Sequence, residues 1–442
     1  MPPAVFRLKA EDTRGFNFVA SAGFNFVASA FRRKALGRLL CSLLLITAPI
    51  VLHAQWPQWR GPGRDGLVPA ASVPAAWPDK PAVRWTQPIG EGYSSPVVDA
   101  GRVFVHSRAD PEEVVSALDL ASGKSIWSAK YPSAFSKNKY AASMAKGPFS
   151  TPVVWNGRVF TLGTSAVLSS FDAATGALRW RKDWSKEIDT SRLFTGTAMS
   201  PIVDSGLLIV HVGDDDAGAF RALDPATGEE RWALPGHGPG YASPIVATIE
   251  GVRHLVTMTD KAVVGIDVLS GKPLWTVPFP DEWNENIVTP VMAAGVLLVS
   301  GTRRGTFGYR LERAAGEWAA RQLWNNTDLP MYMSSPVVDG RMVYGFGSKR
   351  KGQLFCLDAE TGAAKWTTEG RGGTNAAIQM AGANLVVLTT DGELLVVRRT
   401  PDKYEELKRY KVAESQTWAH PVLVPGGVLV RDAAAVTMWS LK

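Results

Sequence analysis

Few residues in this chain are spaced as chemistry requires. GPGRDG at 61–66 has the G-x-G-x-x-G spelling of a phosphate-binding turn. That turn works only where a strand leads into it and a helix N-terminus receives the phosphate. Here Pro62 interrupts it and no helical pattern follows, so nucleotide binding is set aside. Asp214-Asp215-Asp216 offers carboxylates to calcium but lacks the spacing of a calcium loop, and reads as a solvated hairpin. His106, His211, His237, His254 and His420 are too scattered for a zinc site, and no G-x-S-x-G elbow is present. Arg303-Arg304 and Lys349-Arg350-Lys351 read as charged loops between strands, open at most to an anionic partner. The connection 130–147 is longer than its counterparts and carries Lys137, Lys139 and Tyr140. Loops on a rigid scaffold tolerate variation, which makes these three the candidate recognition residues. No residue presents itself as catalytic, and none as a metal ligand.

What recurs is structural. ALDLASGKSIW (117–127), SFDAATGALRW (170–180), ALDPATGEERW (222–232), GIDVLSGKPLW (265–275) and CLDAETGAAKW (356–366) share one pattern. Asp stands third, Ser or Thr sixth, Gly seventh and Trp eleventh. The Asp can accept amide hydrogen bonds within a turn, and the Gly supplies the positive φ that closes it. The expected turn residues are Asp119 and Gly123, Asp172 and Gly176, Asp224 and Gly228, Asp267 and Gly271, Asp358 and Gly362. A second element, Ser/Thr-Pro followed by an apolar strand, a glycine turn and another strand, precedes each copy, and prolines at 96, 152, 201, 244, 290, 336 and 421 mark the repeat spacing.

Each unit therefore reads as four antiparallel strands. A lone four-stranded sheet buries neither face, so the sheets must stack, and units of about 40–50 residues arranged radially make a propeller. The fold class expected is all-β, an eight-bladed β-propeller, with seven blades as the alternative count. Blade five ends at Leu323-Trp324. Blade seven lacks the signature, and Tyr404 with Leu407 are expected to fill its aromatic slot. Blade eight has no room for a fourth strand, and VRWTQPI at 83–89 is expected to supply it and close the ring. Trp85, Trp127, Trp180, Trp232, Trp275, Trp324 and Trp366 are then docking residues between blades.

The chain's formal charge of +7 is uneven. Residues 1–55 hold seven basic against two acidic residues, leaving a near-neutral body and no concentrated basic face for nucleic acid. Residues 1–30 contain GFNFVASA twice in tandem and read as a disordered or non-native extension. Residues 31–54 pair a basic start with the apolar run 39–52, the pattern of a secretory signal, expected to be cleaved after Ala54. Cys41 lies inside that run without the small residues that precede a lipidated cysteine. Only Cys356 would remain after cleavage, so packing alone must stabilise the fold. An extended segment 55–82 precedes the propeller, 83–442. The expected location is periplasmic or secreted, with membrane contact only through an uncleaved signal, and the chain is expected to be a monomer.

The Ala-x-Asp-x-x-Thr-Gly-x-x-x-Trp pattern resembles the tryptophan-docking repeat of pyrroloquinoline-quinone (PQQ) dehydrogenases and of the BamB-like family. WPQWRGPGRDG (56–66), KGPFSTPVVWNGRVFTLG (146–163) and TWAHPVLVPGGVLVRD (417–432) resemble PQQ-like repeat proteins. The resemblance implies the propeller, and either of two functions. One is a non-catalytic envelope scaffold that binds a protein or small ligand, with no cofactor. The other is a small oxidoreductase that uses PQQ and calcium. The enzymes it resembles are longer and carry adjacent cysteines, which this chain lacks, and no catalytic or cofactor-binding residue carries over. A polysaccharide-associated protein or another enzyme is the third reading. Fold alone does not choose among them.

Overall fold

The repeat pattern builds its own turn. Asp172 accepts from the backbone N–H groups of Ala174 at 3.0 Å and Thr175 at 2.9 Å, and from the Thr175 hydroxyl at 2.9 Å. Gly176 closes the turn at φ +75°. A Cβ at Gly176 would fall 2.6 Å from the indole of Trp127, which lies in the preceding repeat. The glycine is thus required twice, once by the backbone and once by a neighbour's ring. Asp119, Asp224, Asp267 and Asp358 accept amide hydrogen bonds at the corresponding places.

A computed structural model describes residues 55–442 except 142–143 and 215–216. The duplicated octapeptide, the signal segment and Cys41 lie outside the described residues. Eight antiparallel sheets of four strands form the blades. Blade one comprises Val97–Asp99, Arg102–Ala109, Glu112–Asp119 and Ser125–Pro132. Blades two to seven follow at 153–183, 202–235, 245–278, 291–326, 337–367 and 376–411. Blade eight takes three strands from 422–440, and its fourth is Ala82–Pro88. That strand runs antiparallel to Ala435–Ser440, with Thr86 opposite Thr437 and their hydroxyls 3.1 Å apart. The expected closure of the ring is what the chain does.

The apolar core lies between blades. Phe104 and Val115 of blade one pack with Val159 and Phe171 of blade two, and the same kind of pairing recurs around the ring. Six indoles also cross from blade to blade. Trp85, Trp127 and Trp180 donate to the carbonyls of Leu120, Ala173 and Pro225 at 3.0–3.1 Å. Trp232, Trp324 and Trp366 donate to Val268, Ala359 and Thr400 at 2.9–3.0 Å.

One expectation fails here, in blade seven, and one indole varies. Trp275 is buried in one cluster with Leu297, Phe307 and Tyr309 of blade five, as a docking residue should be, but its N–H donates to Nδ1 of His254 in its own blade, at 3.0 Å. The cause is blade five, which has no Asp-turn-Gly to receive an indole. Its outer strands, Gly305–Ala314 and Glu317–Asn326, instead form a long hairpin packed against blade four. Trp318 of that hairpin sits edge-on to His254, ring centroids 4.5 Å apart. In blade seven the residue in the tryptophan register is Lys408, opposite Val396, and not Tyr404 or Leu407. Its Nζ reaches Asp79 at 2.5 Å. The outer strand starts only at Glu406, after the turn at Pro401, and this offsets the slot. Tyr404 packs against Trp366, centroids 5.8 Å apart, while Leu407 is half-buried.

Candidate functional site

Residues 56–68 run across the first strands of successive blades. Trp56 exchanges backbone hydrogen bonds with Val98 of blade one, and Pro57 accepts from Val154 of blade two. Arg64 donates Nε to the carbonyl of Pro244 at 2.8 Å and Nη1 to that of Pro201 at 2.9 Å, in blades four and three. Arg60 donates to the carbonyl of Pro336 in blade six, and Gly66 and Val68 pair with Met380 of blade seven. Residues 56–68 therefore form a strap touching most of the ring. Both guanidiniums are buried. Burial pushes them down, Arg60 to about 10 and Arg64 to about 9, so both remain cations at neutral pH. The GPGRDG run thus binds carbonyl oxygens of its own propeller. Sequence reading could not find this, because the partners are backbone atoms.

Above the strap, the Ser/Thr-Pro element makes a belt. His420 N donates to Ser95 Oγ at 2.8 Å, Ser95 N to Thr151 Oγ1 at 3.1 Å, and Thr151 N to Ser200 Oγ at 3.0 Å. Ser200 N continues to Ser243 Oγ, and Thr289 N to Ser335 Oγ, both at 3.0 Å. Each of these hydroxyls satisfies an amide of the blade before it, which explains the Ser or Thr before Pro96, Pro152, Pro201, Pro244 and Pro336. Arg431 joins blade eight to blade one through the carbonyls of Ser94 at 2.5 Å and His106 at 2.7 Å.

A cavity of about 130 Å³ lies within the ring on the strap residue Trp59, whose ring meets His420 at 4.3 Å. Tyr93, Phe149, Phe194, Tyr241 and Trp418 wall it, and Ser and Thr of the belt face it. Phe194 and Tyr241 are shared with a second, wider cavity of about 600 Å³ built from the inter-blade loops. The first loop gives Asn138 and Tyr140, the next Arg192 and Phe194. Tyr241, then Trp283 with Glu285, then Tyr332 complete the wall. Tyr332 donates to Glu285 at 2.6 Å, and Tyr241 accepts from Phe194 N at 2.7 Å. Burial raises the Glu285 carboxyl above its ordinary range, against the opposing pull of the Tyr332 hydrogen bond.

Of the candidate recognition residues, Tyr140 lines this cavity and is 75% exposed. Lys139 holds its ammonium 4.9 Å above the Tyr140 ring, and Lys137 donates to the carbonyl of Met144 in its own loop. Arg303 stacks on Trp283 at 3.2 Å and pairs with Glu282; Arg304 stacks on Phe279. Lys349 pairs with Asp328 at 3.2 Å. Asp214 lies 4.0 Å from Arg192, while Asp215 and Asp216 fall outside the described residues. His106 is buried against Glu113 at 3.3 Å in a network that Tyr131 and Thr164 complete. Burial would raise the Glu113 carboxyl, but hydrogen bonding and charge from His106, with the Tyr131 and Thr164 bonds, hold it at about 2.

Comparison with known proteins agrees with this architecture. The chain is 26% identical over 346 residues to the outer membrane protein assembly factor BamB of Burkholderia pseudomallei, covering 70% of this chain and 85% of that one. It is 25% identical over 218 residues to the 1-butanol dehydrogenase (cytochrome c) of Thauera butanivorans, 47% of this chain but 30% of that enzyme. In structure it resembles the quinohemoprotein alcohol dehydrogenase of Comamonas testosteroni, with TM-score 0.66 and 16% identity over 88% of this chain and 80% of that one. It also resembles BamB of Moraxella catarrhalis, with TM-score 0.56 and 16% identity over 81% and 99% of the two chains. These structural likenesses speak for the fold alone. The family model described as outer membrane protein assembly factor BamB matches residues 111–347 and 346–401, well over half the sequence, and the chain belongs to that family.

Proposed function

We propose that this protein is a non-catalytic, exported β-propeller of the cell envelope that uses its loop face to bind a protein partner. The observation that carries this reading is the strap. The strap residues Arg60 and Arg64 bind buried carbonyls of blades three, four and six, and Trp59 floors the cavity within the ring. The cavity left above them, about 130 Å³, is smaller than the roughly 300–1,000 Å³ of ordinary ligand sites. Its walls are aromatic rings and hydroxyls, and none of its lining residues is a carboxylate. Among the described residues no three His, Cys, Asp or Glu side chains stand close enough to share a metal ion. The adjoining loop cavity adds one carboxylate, Glu285, already bonded by Tyr332, and the amide of Asn138, a sparse donor set for calcium. Cys356 is buried, and among the described residues it has no second cysteine with which to flank a quinone. The names of the relatives, outer membrane assembly factors, favour a protein partner in the envelope. No helix among the described residues is long and apolar enough to cross a membrane.

The test mixes the purified protein with PQQ and calcium, then follows quinone absorbance and dye-linked alcohol oxidation. Neither signal is expected. A stoichiometric quinone complex would overturn the reading and favour the oxidoreductase. In parallel, the immobilised protein is used to capture partners from envelope extracts. A partner retained by the wild type and lost with Tyr140→Ala/Trp283→Ala is the expected result.

A further inference from the structure

The wider loop-face cavity has a composition that selects a ligand class. Tyr140 and Trp283 are among the few large hydrophobic side chains strongly exposed in the described residues, at 75% and 57%, and both line this one cavity. Exposing an indole is unfavourable unless a ligand covers it. Trp283 is held in place from one side by the Arg303 guanidinium at 3.2 Å, itself tied to Glu282. A ring fixed in this way loses little freedom when something stacks on its open face.

The polar groups of the same wall are planar and forked: Asn138, Arg192 and Glu285. Each presents two neighbouring polar atoms, the spacing that meets adjacent hydroxyls on a ring. Their charges are already answered within the protein. Arg192 lies 4.0 Å from Asp214, and Glu285 accepts the Tyr332 hydroxyl at 2.6 Å. A strongly anionic ligand would meet Glu285, and a strongly cationic one would meet Arg192. Asn138 likewise donates to the Arg192 carbonyl at 3.3 Å and accepts from Tyr140 N at 3.1 Å, but each fork keeps hydrogen-bonding capacity beyond these bonds, and a purely apolar ligand would strip it of water at a cost of roughly 1–3 kcal/mol for each group desolvated. What satisfies both the flat faces and the forks is a neutral ring with hydroxyls around its edge and C–H groups on its face.

We propose that the cavity between the loops of blades one to six binds a neutral saccharide, stacked on Trp283 and Tyr140 and hydrogen-bonded by Asn138, Arg192 and Glu285. This rests on the reading of the loop face as the recognition surface and names a ligand for it. The roughly 600 Å³ of the cavity accommodates two or three sugar rings.

The experiment titrates the chain from residue 55 onward with neutral trisaccharides of glucose, mannose and N-acetylglucosamine, read by calorimetry and tryptophan fluorescence. At least one binds with a dissociation constant below about 1 mM, and Trp283→Ala and Tyr140→Ala each weaken it about tenfold or more. Both residues are exposed, so the variants keep the wild-type circular dichroism and melting point. Glu285→Gln keeps the amide fork and retains more affinity than Glu285→Ala. The proposal is overturned if none of the three sugars binds, or if binding survives in Trp283→Ala. Preferential binding of trilysine or citrate, used as charged probes, overturns it equally. If the sugars fail while envelope capture still depends on Tyr140 and Trp283, the saccharide is wrong and the binding scaffold stands. A PQQ complex overturns the scaffold instead.

Discussion

At the scale of single residues, glycine reports how much of the fold depends on tryptophan docking. Gly228 and Gly206 have nearly the same φ, +75° and +76°. A Cβ on Gly228 would meet the Trp180 indole at 2.8 Å, whereas one on Gly206 meets nothing within 4 Å. Gly206→Ala is expected to cost about 1–2 kcal/mol, the ordinary penalty of a left-handed L-residue. Gly228→Ala is expected to cost clearly more, approaching the ~3–5 kcal/mol of Trp180→Ala, because the ring must leave its site. Equal costs in chemical denaturation would show that docking contributes little. Histidines give a second measure. Burial pushes His211 down to about 4, and burial with the Arg60 charge pushes His420 to about 3. The unfolded chain takes up protons at both near pH 6.5 while the folded chain refuses them, so stability falls as pH drops below that value. Glu113, held at about 2, adds its loss only below the unfolded carboxylate range. Melting points measured between pH 7 and pH 5 therefore follow the histidines, opposed toward the acid end by the raised carboxyl of Glu285, and His420→Asn is expected to flatten that slope.

Among elements, the strap and the blade-five hairpin were the two that the sequence concealed. The Asp, Gly and Trp positions were legible because the same physical demand recurs five times along the chain. Asp172 and Gly176 are readable from residue type alone, since each does one job in one turn. Arg60 and Arg64 answer to carbonyls of Pro336, Pro244 and Pro201, far away in sequence and unmarked by side-chain type. Trp275 carries the repeat signature and packs against blade five as the others pack on their neighbours, but that blade has no receiving turn, and the His254 partner of its N–H was not legible in the pattern. The loop-face cavity was equally hidden, since Asn138, Glu285 and Tyr332 come from connections that do not repeat. Only Tyr140 was picked out, through the length of its loop. Arg64→Ala is expected to lower stability by about 2–5 kcal/mol, because the charge-assisted bonds to buried carbonyls are lost together. A thermal melt unchanged by this variant would mean that the strap is decorative.

For the whole molecule, closure is the governing feature. Blade eight has three strands from the C-terminal end and one from residues 82–88. Removing residues up to 88 is expected to leave an open edge and a ring without its strap. The truncated chain should elute as soluble aggregate in size exclusion and lose a sharp melting transition, as unpaired edges invite pairing with other chains. A monomer with the wild-type melt would disprove the role of that strand. The join between Ala82–Pro88 and Ala435–Ser440 also sets a timetable. The segment that leaves the ribosome early finds its hydrogen-bonding mate only when the final residues have been delivered. Until then its backbone waits across nearly the entire sequence, a separation that slows folding. A chain stalled or clipped before its last strand is therefore not a slightly shorter ring but an unlatched one, open to proteases along its whole length.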